Sequence, residues 1–234
     1  MNKDLTEIAY ILDRSGSMSD MVEPAIAGFN RFLREQQEAP GEARLTLVLF
    51  DDEYLAPHRS TPIHEVPPLD TETYVPRSMT ALLDAIGRTI VELGKRLRQP
   101  ADSNGPPARH SPEGDGGGQV IVAIFTDGLE NASTDFDLQK ISSMIKHQQE
   151  NYKWTFLFLG ANQDAIASAI RMGIDQNHAG AVMFCRKGLH SSSTSFSRKM
   201  SAMRHRQSTG EELADFNTPM QDIVREEQDK PDED

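Results

Sequence analysis

The sequence predicts an α/β protein in which helices cover both faces of a mostly parallel central sheet. Short apolar runs at residues 8–12, 45–50 and 120–125 have the pattern of strands that are buried on both faces. Segments with apolar residues at helical spacing separate these runs, and this alternation is typical of a three-layer, doubly wound fold. The 234 residues are enough to form one sizeable core.

Apolar runs and helical periodicity also predict the individual elements. The turn Asp51-Asp52-Glu53 returns the chain into a short edge strand, where Pro57 is tolerated. Ser133 or Thr134 is the expected N-cap of the third helix. Strands are expected over residues 7–13, 45–50, 54–57, 119–126, 154–159 and 181–184. Helices are expected over residues 21–37, 81–98, 134–151, 164–172 and 189–206.

Two segments lack the apolar content of a packed structure. Residues 99–118 are rich in proline and glycine and contain no aliphatic side chain larger than alanine, so we expect a mobile insertion. Residues 208–234 are acidic and sparsely apolar, so we expect a disordered or loosely attached tail. The folded domain is therefore expected to span residues 1–207. A basic cluster at Arg198, Lys199, Arg204 and Arg206 is expected to contact the acidic tail.

Charge and composition exclude several classes of function. The net charge of -12 argues against nonspecific binding to nucleic acid or to an anionic membrane. The single cysteine, Cys185, excludes an intramolecular disulfide framework and suits a reducing compartment. No apolar run reaches membrane-spanning length, and residues 1–4 do not begin a signal peptide. We therefore expect a cytoplasmic protein, and we expect it to be a monomer.

Three short segments place oxygen-bearing side chains near one edge of the predicted sheet. Asp13, Ser15 and Ser17 follow the first strand, Thr80 precedes the second helix, and Asp127 follows the strand at residues 119–126. In open α/β sheets, ligands bind beyond the carboxyl ends of the strands. Carboxylates and hydroxyls are hard donors, which suit Mg²⁺ or Mn²⁺ better than zinc.

The pattern Asp-x-Ser-x-Ser, followed by Thr80 and Asp127, resembles the metal-ion-dependent adhesion site of von Willebrand factor type A (VWA) domains. The resemblance implies an antiparallel edge strand and a bound Mg²⁺ ion, with Mn²⁺ or Ca²⁺ as alternatives. It also implies that Ser15 and Ser17 are direct ligands, that Asp13 and Asp127 supply charge and orient waters, and that Thr80 is exchangeable. The chain is more similar to intracellular bacterial members than to secreted adhesins.

A metal site of this kind predicts a protein-binding function. Neutral hydroxyl ligands leave the ion much of its positive charge, so its open position attracts an Asp or Glu carboxylate of another protein. An alternative is a metal-dependent, phosphatase-like hydrolase, because Asp13 resembles the nucleophile of haloacid-dehalogenase-type phosphatases. Ser15 argues against it, since these enzymes place a general acid two residues after the nucleophile. We expect a binding module and no catalytic residues.

Each residue of the pattern also has a purely structural interpretation. Asp13 can simply end a strand, Ser15, Ser17 and Thr80 can cap helices, and Asp127 can belong to an ordinary turn. Met79 and other methionines near the metal loops can form an apolar rim or pack beneath the loops. Asp20, Asp51 and Glu130-Asn131 can lie at the rim of the site or be solvated loop residues.

Overall fold

The computed structural model describes residues 5–98, 118–161 and 164–231. Within them, six strands form a single sheet. These strands are β1 (Thr6–Asp13), β2 (Ala43–Phe50), β3 (Tyr54–Pro62), β4 (Gln119–Thr126), β5 (Thr155–Gly160) and β6 (Ala179–Ala181). Their order is β3-β2-β1-β4-β5-β6, and only the β2–β3 pair is antiparallel. The predicted fold class, a mostly parallel sheet with one antiparallel edge strand, is confirmed.

Helices cover both faces of this sheet. They are α1 (Val22–Glu38), α2 (Leu82–Arg98), α3 (Leu138–Tyr152), α4 (Ala165–Arg171), α5 (Arg186–Thr209), α6 (Ala214–Asn217) and α7 (Met220–Asp229). None of the helices in the described part of the chain has the length and apolarity that crossing a membrane requires.

The two faces of the sheet bury separate cores. Tyr10 of β1 packs against the rings of Phe29, Phe32 and Phe196, which belong to α1 and α5. The next residue, Ile11, belongs to the core beneath α2, α3 and α4. Because alternate residues of a strand point to opposite faces, both faces need apolar side chains, which explains the unbroken apolar run of β1.

Several predicted boundaries are wrong. Helix α3 begins at Leu138 with Asp137 as its N-cap, because the backbone N–H groups of residues 134–136 donate to the Asp84 carboxylate instead of starting a helix. Strand β6 ends at Ala181 and does not extend through the predicted residues 181–184. Its partner strand β5 ends at Gly160, which pairs with Ala181. Edge strand β3 extends beyond the predicted residues 54–57 to Pro62.

The predicted disordered tail is wrong for residues 208–231. Met220, Ile223 and Val224 of α7 are fully buried in the core on the α1 side of the sheet. Their spacing of three and four residues gives a helix one apolar face. A few apolar residues with this spacing are therefore enough to dock the segment, although its overall composition is polar.

The basic cluster of α5 attaches this C-terminal segment. Arg198 forms 2.7 Å ion pairs with Asp215, Glu226 and Glu227. The buried Lys199 ammonium donates to three backbone carbonyls at Asp215, Phe216 and Thr218. The predicted contact between the basic cluster and the acidic segment is confirmed for these residues. The expected mobile insertion, residues 99–118, lies outside the described residues except for Gly118.

Candidate metal centre

The segments that carry Asp13, Thr80 and Asp127 are the first, second and third metal loops. The first and third loops meet because β1 and β4 are parallel neighbours in the sheet. The Asp13 carboxylate is fully buried between them. Its Oδ1 atom accepts a 2.7 Å hydrogen bond from the backbone N–H of Ser15, and its Oδ2 atom accepts a 2.5 Å hydrogen bond from the Thr126 hydroxyl. These two bonds fix the orientation of the carboxylate at the carboxyl edge of the sheet.

The two serine hydroxyls lie beside the second carboxylate. Ser15 Oγ and Ser17 Oγ are 3.0 Å apart. Both hydroxyls interact with the Asp127 carboxylate and partly offset the increase in its pKa that burial causes. Asp127 Oδ1 is buried without a hydrogen-bond partner among the described residues. The fold therefore brings Asp13, Ser15, Ser17 and Asp127 together.

Thr80 joins this group through the loop that follows Asp127. Its backbone N–H donates to Asn131 Oδ1 at 2.8 Å, and its carbonyl accepts a 3.1 Å hydrogen bond from the Asn131 N–H. A Cβ atom placed on Gly128 would lie 2.9 Å from Thr80 Oγ1. The second and third loops are thus in direct contact, and Gly128 permits the close approach.

Asp51 connects the first two loops and does not lie at an exposed rim. It is fully buried at the end of β2, where its carboxylate lies 3.2 Å from Arg14 Nε and 3.6 Å from Arg77 Nε. Its carbonyl accepts a 2.8 Å hydrogen bond from the Ala81 N–H. Because Arg14 belongs to the first loop and Arg77 to the second, Asp51 holds both loops to the sheet edge.

Glu130 has a similar connecting role between the third loop and α2. Its carboxylate accepts hydrogen bonds from the N–H groups of Leu83, Ala132 and Ser133 and from the Ser133 hydroxyl. These contacts occupy both oxygens. The interpretation of Glu130 as part of the ligand rim is therefore wrong, because its carboxylate caps the first turn of α2.

Two further residues that support Asp13 could not be recognised as site residues from the sequence. Thr126 carries one of the hydrogen bonds to the Asp13 carboxylate, and the buried Tyr74 donates a 2.6 Å hydrogen bond to the Asp13 carbonyl. The only signal for Thr126 is its position directly before Asp127 at a strand end. Tyr74 lies in a proline-containing connection, and its role depends on proximity in space.

Burial makes the charged form of both aspartates unfavourable. It raises the pKa of Asp13 to about 6, the nearby Asp127 adds to this increase, and the hydrogen bonds from Thr126 and Ser15 oppose it. Burial is also the main cause of the raised Asp127 pKa. Two adjacent carboxylates with this electrostatic cost form a site that a cation would stabilise.

The donor set fits a hard divalent cation. Two carboxylates and three hydroxyls offer only oxygen atoms, which Mg²⁺ and Mn²⁺ accept. Within the described residues, His, Cys, Asp and Glu form no group of three or more that could hold a metal ion, so a site of the usual zinc type is not found there. Metal ligation by Asp13, Ser15, Ser17, Thr80 and Asp127 stays a prediction.

Comparison with solved structures identifies the fold. The chain superimposes on a von Willebrand factor type A protein from Catenulispora acidiphila with a TM-score of 0.51, at 12% identity over 84% of this chain and 42% of that one. The chain has the von Willebrand factor type A fold. It also matches the ArnB paralog VWA2 from Sulfolobus acidocaldarius with a TM-score of 0.52, at 13% identity over 84% of this chain and 45% of that one.

A third type A neighbour is a manganese-loaded TRAP protein from Plasmodium vivax. The TM-score is 0.51, at 14% identity over 79% of this chain and 70% of that one. The chain spans less than half the length of the Catenulispora and Sulfolobus proteins. No protein-family model matches the chain, and no curated protein matches it.

Proposed function

We propose that this type A domain is a divalent-metal-dependent protein-binding module. The observation that carries the proposal is the cluster of carboxylate and hydroxyl oxygens at the carboxyl edge of the sheet, in which buried Asp127 Oδ1 lacks a hydrogen-bond partner among the described residues. The ligands would be Asp13, Ser15, Ser17, Thr80 and Asp127. Mg²⁺ is the proposed ion, with Mn²⁺ or Ca²⁺ as alternatives.

The chain's own residues would prepare the site for an anionic partner. Ser15 and Ser17 contribute neutral oxygens, and Thr126 fixes the carboxylate of Asp13. When bound, the ion supplies a positive centre for an Asp or Glu carboxylate of another protein. The partly exposed Asp127 and the exposed Ser17 lie where such a partner can reach them.

Binding of manganese by the Plasmodium neighbour supports the proposal, because that protein has the same fold at a TM-score of 0.51. The acidic charge and the single cysteine support a cytoplasmic protein that does not bind nucleic acid or membranes, and we propose that it is a monomer.

The hydrolase alternative receives less support from the geometry. Both oxygens of Asp13 accept hydrogen bonds, and its side chain has no exposed surface from which to attack a substrate. Metal-dependent hydrolysis of a generic phosphate ester that is lost in Asp13→Asn would favour the enzyme. Metal binding without any hydrolysis of the ester would favour the binding module.

A capture experiment tests the binding function. Immobilised wild-type domain and Asp127→Asn are incubated with cell extract in Mg²⁺ or in EDTA, and retained proteins are identified by mass spectrometry. We expect proteins that are retained only by the wild type in Mg²⁺, and we expect amidation of their carboxylates to abolish retention. Retention of the same proteins in EDTA would contradict the proposal.

A further inference from the structure

A small apolar cavity lies beside the candidate metal centre. Its volume is about 150 Å³, and its apolar lining includes Leu83, Leu129, Leu138, Phe158 and Met172 from α2, the third loop, α3, β5 and the C-cap of α4. Apolar cavities of about this size can hold a molecule as large as benzene. The cavity therefore has room for one large apolar side chain.

The cavity adjoins the metal centre through two shared residues. Thr126 and Gly128 line it, while the Thr126 hydroxyl also binds Asp13 and Gly128 also contacts Thr80 Oγ1. A ligand bound at the metal therefore has the cavity as its immediate neighbour. Leu129 and Leu138 at the mouth are both exposed, so the apolar surface extends from the cavity to solvent.

The rim of the cavity also carries a positive charge. Arg171 lines the cavity and donates a 3.1 Å hydrogen bond to the Ser168 hydroxyl, but it pairs with no carboxylate among the described residues. Basic side chains are outnumbered by acidic ones in this chain, which has a net charge of -12. Glu130 also lines the cavity, but both of its carboxylate oxygens accept hydrogen bonds from Leu83, Ala132 and Ser133. Arg171, in contrast, has no carboxylate partner among the residues that line the cavity, so it favours an acidic ligand.

We propose that the partner presents an acidic residue and, next to it in space, one large apolar side chain. The carboxylate occupies the metal centre, the apolar side chain fills the cavity lined by Leu129, Leu138 and Phe158, and Arg171 favours further acidic residues nearby. This inference rests on the proposed metal-dependent function. It adds the apolar side chain as a second requirement, which selects among the acidic segments that the metal centre alone would bind.

A displayed peptide library tests the inference without knowledge of the partner. The library carries a fixed central Asp or Glu between random residues, and it is selected on the wild-type domain in Mg²⁺ with elution by EDTA. Selection is repeated on Ser168→Phe, which fills the cavity, and on Leu129→Ser, which removes the apolar mouth. Ile170→Ser is the matched control, because Ile170 is exposed on α4 but lines a different groove.

We expect wild type and Ile170→Ser to enrich Phe, Leu, Met or Trp at one fixed spacing from the acidic residue. Selected peptides should bind at least about tenfold more tightly than versions with Ala at that spacing, as burial of one such side chain predicts. In Ser168→Phe and Leu129→Ser this preference should fall below about threefold, while metal-dependent binding of acidic peptides persists.

Other outcomes separate the two proposals. Metal-dependent selection of acidic peptides without an apolar preference would overturn this inference and leave the proposed function intact. An apolar preference that is unchanged in both cavity variants would also overturn it. If no peptide is selected in a metal-dependent manner, the proposed function fails, and the inference fails with it.

Discussion

The Thr126 hydroxyl donates a 2.5 Å hydrogen bond to the Asp13 carboxylate from the neighbouring strand. This bond joins the ends of β1 and β4, the two strands that carry the aspartates of the candidate metal centre. It also lowers the pKa of Asp13 against the larger effect of burial. The metal centre therefore depends on a residue that is not among its proposed ligands.

Replacing Thr126 with Val should weaken metal binding while preserving the fold. The substitution keeps the side-chain shape but removes the donor that holds Asp13, so we expect Mn²⁺ affinity to fall about tenfold, the loss of one hydrogen bond to a charged group. Titration calorimetry measures the change. Thr89→Val is the control, because Thr89 is also buried but lies in α2, where its hydroxyl binds Ala85 O. Equal affinities for the two variants would contradict the role of Thr126.

Asp13→Asn should stabilise the metal-free protein near neutral pH. Burial raises the Asp13 pKa to about 6 from 3.8, so the folded state binds the proton more tightly than the unfolded state does. Stability is therefore lost as pH rises between these two values, and the full penalty is present above about pH 6. Removing the charge should add about 2–3 kcal/mol to the free energy of unfolding at about pH 7.5.

The same substitution should have a smaller effect in acid, because at about pH 4.5 Asp13 is already mostly protonated in the folded state and begins to take up its proton in the unfolded state. Urea denaturation in EDTA at about pH 7.5 and about pH 4.5 measures the difference. The gain should shrink markedly at the lower pH. Destabilisation by Asp13→Asn at neutral pH would show that another interaction compensates the buried charge.

Gly128→Ala should displace Thr80 and weaken the metal centre. The new Cβ atom would lie 2.9 Å from Thr80 Oγ1, closer than atoms normally pack, so one of the two loops must shift. We expect Mn²⁺ affinity to fall severalfold with the circular dichroism spectrum retained. Gly94→Ala is the matched control, since nothing lies within 4 Å of its added Cβ, and helix propensity predicts a gain of about 0.5–1 kcal/mol in stability. Unchanged affinity in Gly128→Ala would argue against contact between the loops.

The C-terminal helix α7 should contribute to the stability of the whole domain. Ile223 is fully buried, so Ile223→Ala should lower the free energy of unfolding by about 2–4 kcal/mol, as cavity formation in a core does. Arg225→Ala on the exposed face of α7 should change it by less than about 0.5 kcal/mol. Chemical denaturation compares the two. Similar small effects would indicate that the segment is only loosely attached.

The central strands and the order of the site segments were predictable because they depend on local patterns. The unbroken apolar runs of β1 and β4 reflect burial on both faces, and Asp13 and Asp127 follow those runs directly. Because the strands are parallel, their carboxyl ends lie at the same edge of the sheet, so the two carboxylates meet there. This part of the candidate site needed only strand positions and residue types.

The remaining features depend on contacts between residues that are distant in the sequence. The start of α3 is set by Asp84, which binds the N–H groups of residues 134–136, and no local pattern at 134 reveals this. Tyr74 reaches Asp13 across 61 residues. The docking of α7 depends on a few apolar residues whose significance disappears when composition is averaged over the segment.

Titration of Mn²⁺ into the purified domain tests the central claim most directly. We predict saturable binding of one ion per chain with a raised melting temperature, as a ligand of the native state requires. Ser15→Ala and Asp127→Asn should lose at least about tenfold in affinity, whereas Ser19→Ala should bind as the wild type does, because the Ser19 hydroxyl donates to Gly16 O and is exposed. No saturable binding, with an unchanged melting temperature at excess Mn²⁺, would contradict the account.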